Sequence, residues 1–228
     1  VLDKDYGTWN AYENRYWPRK YLIDIDGFIV YDHVGEGAYE RTEQKIHELL
    51  EERLIVLGTK ETIEKDIAKP DGIADTDSSK PRSPEVYFGA ARNLLLGNGA
   101  RQTVDTQHLR EPSSGVLLNT LYLAGVWKFE EEYAENTDKG AKIIFRYQGK
   151  DLYMVASAKN PVAIRILRDG KRLGVEVGED VATREGVSRT IIQEDRLYRL
   201  IQDSEYGEHT IEIIIENPGL KAFTFTFG

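Results

Sequence analysis

The sequence contains no cysteine among its 228 residues, and it has a single methionine and only four histidines. Without a thiol, the chain can form no disulfide, ligate no metal through sulfur and carry out no thiol–disulfide exchange. The histidines are scattered, with no pair at the spacing that places two metal ligands on one helix face; they are His33, His47, His108 and His209. We therefore expect no metal site and no bound cofactor.

Long apolar runs are also missing. No stretch approaches the roughly 20 residues that a membrane-spanning helix needs. The first residues lack both an initiator methionine and the pattern of a secretory signal, so we expect a processed or internal end. The sequence alone does not give the compartment.

Positively charged residues are outnumbered: 30 Lys and Arg against 39 Asp and Glu give a formal net charge of -9 at pH 7. An acidic chain is repelled by nucleic acid and by anionic membranes, so a neutral or cationic ligand fits better. Hydrophobic residues make up 40% of the chain, which is enough for folded cores. The many charged residues and the single methionine are compatible with a thermostable protein.

The pattern of residues predicts two domains. Residues 1–57 carry an aromatic start, a β-hairpin and a helix. Residues 58–84 are rich in proline, glycine, serine and aspartate and predict a linker. Residues 85–228 read as a separate β-type domain, apart from a short helix expected between Pro84 and Leu96.

The first domain has three local signals. Trp9, Tyr12 and Tyr16 are spaced to share one face of a short helix. Two apolar runs around an Asp26-Gly27 turn predict a tight hairpin. A stripe of apolar residues from Ala38 onward predicts an amphipathic helix.

The second domain shows short β-type segments at regular spacing, separated by turns such as Gln148-Gly149 and Asp169-Gly170. This spacing predicts an antiparallel β-sandwich or jelly roll. The expected strands are 116–133, 142–147, 152–158, 162–167, 173–177, 190–192, 198–201, 210–215 and 222–227. The fold class is then α+β, with a small α/β segment before the sandwich.

Several motifs resemble one family. Tyr16-Trp17-Pro18, Tyr21-Leu22-Ile23-Asp24 and Gly35-Glu36-Gly37 resemble the C-terminal half of a DipZ-type, TlpA-like thioredoxin domain. Gly125-Val126-Trp127 and the closing 222–228 segment resemble the carbohydrate-binding-like sandwich of DipZ-type proteins. The resemblance implies a partial thioredoxin-like segment without its Cys-X-X-Cys unit, in which Pro18 is the cis-proline equivalent. It also implies a carbohydrate ligand and an extracytoplasmic location.

Candidate ligand-binding residues follow from a strand expected over 126–133. On a regular strand, Trp127, Phe129, Glu131 and Tyr133 share one face. Sugar-binding proteins stack a pyranose ring on a flat aromatic side chain, so Trp127 and Tyr133 are the candidates. The alternative is that Trp127 and Phe129 belong to the core, where large aromatic residues are common in sandwiches.

A carboxylate pair is the candidate for catalysis. On the same strand, Glu130 and Glu132 would project together with their Cβ atoms about 7 Å apart. Glycoside hydrolysis uses two carboxyl groups separated by about 5 to 9.5 Å. The alternative is that an acidic chain forms such pairs on any solvated strand face.

Two functions remain open at this point. One is a non-redox carbohydrate-binding or cell-envelope interaction module, and the other is a glycoside hydrolase that uses Glu130 and Glu132. The incomplete thioredoxin-like half would leave a strand edge and an aromatic face uncovered, which predicts a homodimer across that half.

Overall fold

The computed structural model describes residue 3 and residues 5–15, 18–34, 38–63 and 82–228. The chain divides into two compact units, Val1–Ser78 and Ser79–Gly228, and each has its own internal organisation. Much of the linker expected over 58–84 lies outside the described residues, so its linker role stays a prediction.

The first unit is a hairpin with two helices: α1 (Gly7–Ala11), β1 (Arg19–Ile23), β2 (Ile29–Val34) and α2 (Tyr39–Leu57). The antiparallel pairing of β1 with β2 confirms the predicted hairpin. Its turn is stabilised by the Asp24 carboxylate, which accepts backbone N–H groups of Asp26 at 3.0 Å and Phe28 at 2.8 Å. Gly27 takes a left-handed φ of 91°, where a side chain would be strained.

Helix α2 confirms that a helix follows Ala38, and it is capped by Gly58, whose left-handed φ of 63° closes the last turn. None of its residues is buried, so the predicted apolar stripe is not covered within the described residues. It lies against the hairpin through Tyr31, whose hydroxyl is 3.2 Å from the hydroxyl of Thr42. No described residue of this unit is buried. The unit therefore has little hydrophobic core of its own.

The second unit is predominantly β, which confirms the β-rich class predicted for it. Its strands are β3 (Val86–Tyr87), β4 (Thr106–Leu109), β5 (Leu121–Phe129), β6 (Ala134–Asn136), β7 (Lys142–Ala158), β8 (Val162–Arg168), β9 (Lys171–Arg172), β10 (Ala182–Arg184), β11 (Val187–Ile192), β12 (Arg196–Ile215) and β13 (Leu220–Phe227). They are hydrogen-bonded in the order β10-β11-β8-β12-β7-β13-β6-β5-β4, with β3 on β13 and β9 on β8.

Two long strands organise this unit. β7 and β12 pair antiparallel along nearly their whole length, from Arg196 opposite Ala156 to Ile214 opposite Lys142. The first half of β7 also pairs with β5, and its second half pairs with β13. Alternate residues of these strands point into a shared core, where they are fully buried; they include Ile143, Phe145, Tyr147, Leu152, Met154, Ile211 and Ile213.

Several element boundaries differ from the prediction. The helix expected over 84–96 is wrong: β3 occupies its start, and Phe88 donates its N–H to the carbonyl of Phe223 at 3.0 Å. Long-range pairing has overridden local helix propensity there. The segments 142–147 and 152–158 form one strand, as do 198–201 and 210–215. The expected strand over 173–177 is replaced by β9 just before it.

Candidate ligand-binding surface

Trp127 lies in the core of the second unit, with 0% of its surface exposed. Its indole Nε1 donates a hydrogen bond to the carbonyl oxygen of Ala124 at 2.9 Å, so the one polar atom of the side chain is satisfied internally. A sugar ring needs an exposed aromatic face. The prediction that Trp127 is a stacking residue is therefore corrected: it fills the interior beside Phe129, which is also fully buried.

The predicted carboxylate pair does not share a strand face. β5 ends at Phe129, and the N–H of Glu130 donates to the carbonyl of Tyr133 at 2.9 Å, which closes a tight turn into β6. Glu130 also pairs with Lys128 at 2.6 Å. Because Glu130 and Glu132 lie on a turn, the alternating geometry on which the catalytic expectation rested is wrong for this segment.

Tyr133 comes directly after this turn and is only half-buried. Its ring centroid is 5.4 Å from that of Phe223 on β13, with the two planes inclined at 53°. The ammonium group of Lys221 lies 4.8 Å from the centre of the Tyr133 ring. Two aromatic rings and one cation therefore meet at the surface of the sheet.

A β-bulge in β13 puts Phe223 at this surface. The register of β13 against β7 shifts between Ala222 and Thr224. Ala222 and Phe225 point inward and are buried, whereas Phe223 and Thr224 between them are both half-buried. One extra residue in the strand thus turns a phenyl ring outward beside Tyr133.

Tyr87 extends the same surface from β3, where it pairs with Thr224. The guanidinium carbon of Arg92 lies 4.6 Å over its ring. Burial, together with a hydrogen bond to the Glu85 carboxylate, raises the pKa of Tyr87 to about 12. We call Tyr87, Arg92, Tyr133, Lys221 and Phe223 the Tyr133 patch.

The segment after β3 holds the patch in place. The N–H groups of Ala90 and Ala91 donate to the carbonyls of Glu130 at 2.8 Å and Glu131 at 3.0 Å. Gly89 lies so close to this turn that a Cβ atom on it would be 2.2 Å from the backbone carbon of Glu132. Only glycine permits this approach, and the turn that presents Tyr133 is fixed by it.

Charge around the patch is mixed. The turn contributes Glu131 and Glu132, and Glu135 lies opposite Lys221 on the neighbouring strand. Within the described part of the chain, neither Arg92 nor Lys221 forms an ion pair with a carboxylate. Cationic donors and carboxylate acceptors thus lie beside the aromatic rings of the patch.

Sequence comparison identifies the unit that carries this patch. Residues 83–228 match the family described as "Thioredoxin like C-terminal domain". The chain belongs to this family. All five residues of the Tyr133 patch lie within the matched range.

The curated relatives agree with this family. Protein DipZ of Mycobacterium bovis and protein DipZ of Mycobacterium tuberculosis are each 29% identical over 231 aligned residues, which cover 100% of this chain. The chain spans 29% of the length of these relatives. The resemblance to DipZ-type thioredoxin-family proteins predicted from the sequence is thereby confirmed.

Solved structures overlap with the chain only in part. A family two carbohydrate esterase from Clostridium thermocellum, in complex with cellohexaose, matches with a TM-score of 0.36 and 12% identity, over 45% of this chain and 29% of the esterase. A family two carbohydrate esterase from Cellvibrio japonicus matches with a TM-score of 0.37 and 16% identity, over 47% and 30% respectively. Overlap of this extent supports no argument about fold or function.

In this DipZ-type chain, Pro18 lies in a bend immediately before β1. The neighbouring Tyr16 and Trp17, and the 35–37 glycine segment, lie outside the described residues. The role of Pro18 as the cis-proline equivalent stays a prediction. None of the described helices has the length and apolar character to cross a membrane.

Sequence reasoning missed Phe223 and Tyr87. The alternation of Phe223, Phe225 and Phe227 predicts that all three share one face, and a bulge leaves no mark in such a pattern. The helix expected between Pro84 and Leu96 includes Tyr87. The available signal was Gly89, since a glycine inside a predicted helix indicates a close backbone approach or a turn.

Proposed function

We propose that the chain is a non-redox carbohydrate-binding or cell-envelope interaction module derived from a DipZ-like protein, with the ligand bound at the Tyr133 patch. The observation that carries the proposal is the pairing of the partly exposed Tyr133 and Phe223 rings at 5.4 Å beside Lys221. The absence of cysteine supports the non-redox part, since the chain has no thiol to exchange.

The physical basis is the shape of a sugar. The C–H face of a pyranose packs on an aromatic ring, while its hydroxyls need donors and acceptors at the edge of the platform. Tyr133 and Phe223 supply the rings. Lys221 and Arg92 supply donors, and Glu135 supplies an acceptor on the neighbouring strand.

We also propose that the second unit is a β-sandwich of jelly-roll type. Two observations support this architecture. The halves of β7 have different neighbours, β5 on one half and β13 on the other, and the register of β12 against β7 shifts between Gln202 and Gly207. Long strands that change partners at a bulge commonly bend from one sheet into the other.

A glycan array with the full chain tests the function. We expect binding to one group of glycans, followed by at least a tenfold loss of affinity in Tyr133→Ala and Phe223→Ala. Ile191→Ala is the matched control, since Ile191 is an exposed residue on β11. Failure to bind any glycan, or variants that bind as tightly as the parent chain, would contradict the proposal.

The partner of the first unit is proposed to be a second copy of the chain. Phe28 is 68% exposed at the tip of the hairpin, and Ile29 and Val30 beside it are also exposed. Among the described residues, β1 and β2 pair only with each other, so each has a free edge. A sheet of two strands with apolar exposed residues is stabilised by burial against another chain.

A further inference from the structure

The first unit contains a cavity that the proposed carbohydrate site does not use. Its volume is about 390 Å³, within the range of small-molecule sites. It lies on the side of the hairpin that carries α1, and three aromatic residues line it: Trp9, Tyr12 and Tyr21. None of the described residues that line it is cationic.

The tyrosine wall is held in a fixed arrangement. The Tyr12 and Tyr21 ring centroids are 5.0 Å apart with planes inclined at 53°, and the Tyr21 hydroxyl donates to the Tyr12 carbonyl at 3.3 Å. Tyr12 remains 37% exposed, so the wall is open to solvent. The Tyr21 ring already makes one cation–π contact, since the Arg19 guanidinium carbon lies 4.7 Å from its centre. That guanidinium forms an ion pair with Asp32.

The carboxylate of Asp3 also lines this cavity. Asp3 accepts the backbone N–H of Thr8 at 3.1 Å and that of Trp9 at 2.8 Å, one on each oxygen. These hydrogen bonds, with the Trp9 bond the larger contributor, hold the pKa of Asp3 below its ordinary value. The group is therefore ionised at neutral pH, and its position over α1 is fixed.

We propose that this cavity binds an alkylated ammonium cation, with Trp9, Tyr12 and Tyr21 as its walls and Asp3 as its counter-charge. The negative face of an aromatic ring attracts a cation, and methyl groups on nitrogen add apolar contact with the rings. A carboxylate that is already fixed costs little ordering entropy on binding. Charge and shape both select a quaternary ammonium group over a neutral molecule of the same size. The proposal is independent of the glycan site.

Calorimetry with a matched ligand pair tests it on the full chain. Choline and 3,3-dimethyl-1-butanol have the same shape and differ in the charge on the quaternary centre. We expect choline to bind roughly tenfold more tightly than the alcohol, and added salt to weaken choline alone. Equal affinities, or no measurable binding of choline, would overturn the proposal.

Variants locate the site. Trp9→Ala and Tyr12→Ala are expected to abolish choline binding, and Asp3→Asn to lower it severalfold without changing the affinity for the alcohol. Ile55→Ala is the control, because Ile55 is 81% exposed on α2 of the same unit and does not line the cavity. Circular dichroism reports whether each variant is folded.

Choline binding that survives both aromatic substitutions would place the cation elsewhere and refute the assignment. If an aromatic variant fails to fold, the ligand pair on the parent chain and Asp3→Asn still decide.

Discussion

The indole nitrogen of Trp127 donates to the carbonyl oxygen of Ala124 at 2.9 Å inside the β core. Both residues belong to β5, whose inner face is buried. The hydrogen bond satisfies the buried indole donor. The largest aromatic side chain of the unit therefore contributes to stability and offers no exposed face to a ligand.

Replacing Trp127 should cost stability. Trp127→Ala removes a fully buried side chain and should lower the free energy of unfolding by about 3 to 5 kcal/mol. Trp127→Phe should cost less, because most of the buried volume is kept, although the hydrogen bond to Ala124 is lost and a small cavity forms. Urea unfolding followed by circular dichroism measures both. The folded Phe variant should bind glycans like the parent chain, and a selective loss of binding would contradict the core assignment.

Gly89 should be intolerant of a side chain. In Gly89→Ala the new Cβ would meet the Glu132 backbone at 2.2 Å, so the turn that presents Tyr133 has to move. We expect a loss of about 1 to 3 kcal/mol in unfolding free energy and weaker glycan binding. Gly115→Ala is the control, since nothing lies within 4 Å of its added Cβ. Equal effects of the two substitutions would show that the close approach has no consequence.

Asp169 should make the free energy of unfolding depend on pH in the acidic range. Its carboxylate lies 2.7 Å from Nδ1 of His209 and accepts the N–H of Thr210 at 2.8 Å. Burial on its own raises the pKa of Asp169, but the hydrogen bonds from Thr210 and His209 outweigh burial and hold the pKa below its ordinary value. The folded state therefore favours the ionised form. The stabilisation is complete above the unfolded-state pKa and is lost as pH falls through the lowered, folded-state pKa.

The measurement compares unfolding free energies of the parent chain and Asp169→Asn from neutral pH downward. The parent should be more stable at neutral pH by less than about 1 kcal/mol, since the carboxylate is half exposed, and the difference should shrink in acid. Asp195→Asn, at an exposed residue, serves as control. A difference that stays constant with pH would contradict a role for the ionised carboxylate.

The proposed homodimer should depend on the hairpin tip. Phe28→Ser combined with Val30→Ser removes apolar surface from the unpaired hairpin and should shift the mass measured by light scattering from dimer toward monomer. Val175→Ser, at a highly exposed residue of the second unit, should leave the mass unchanged. A parent chain that is monomeric at all concentrations tested would refute the dimer.

Part of the candidate site could be predicted from the sequence. The strand-end aromatic Tyr133 was named as a binding residue, and it lies in a surface patch, although its role is still a prediction. Its neighbours Phe223 and Tyr87 were not named, because they reach the patch through a bulge and through the long-range pairing of β3 with β13. The bulge has no local signal, and for β3 the sequence offers only Gly89, a glycine inside the predicted helix.

The sequence by itself determined the absence of thiol chemistry, the hairpin around Asp26-Gly27, the helix after Ala38 and the β-rich second unit. These properties depend on composition, turn chemistry and periodicity, all of which are local. Only the tertiary structure decided that Trp127 faces the core, that Glu130 and Glu132 lie on a turn, and that Phe223 faces outward. Periodicity states which residues share a face, but which face is covered and where a strand ends or bulges depend on partners distant in the chain.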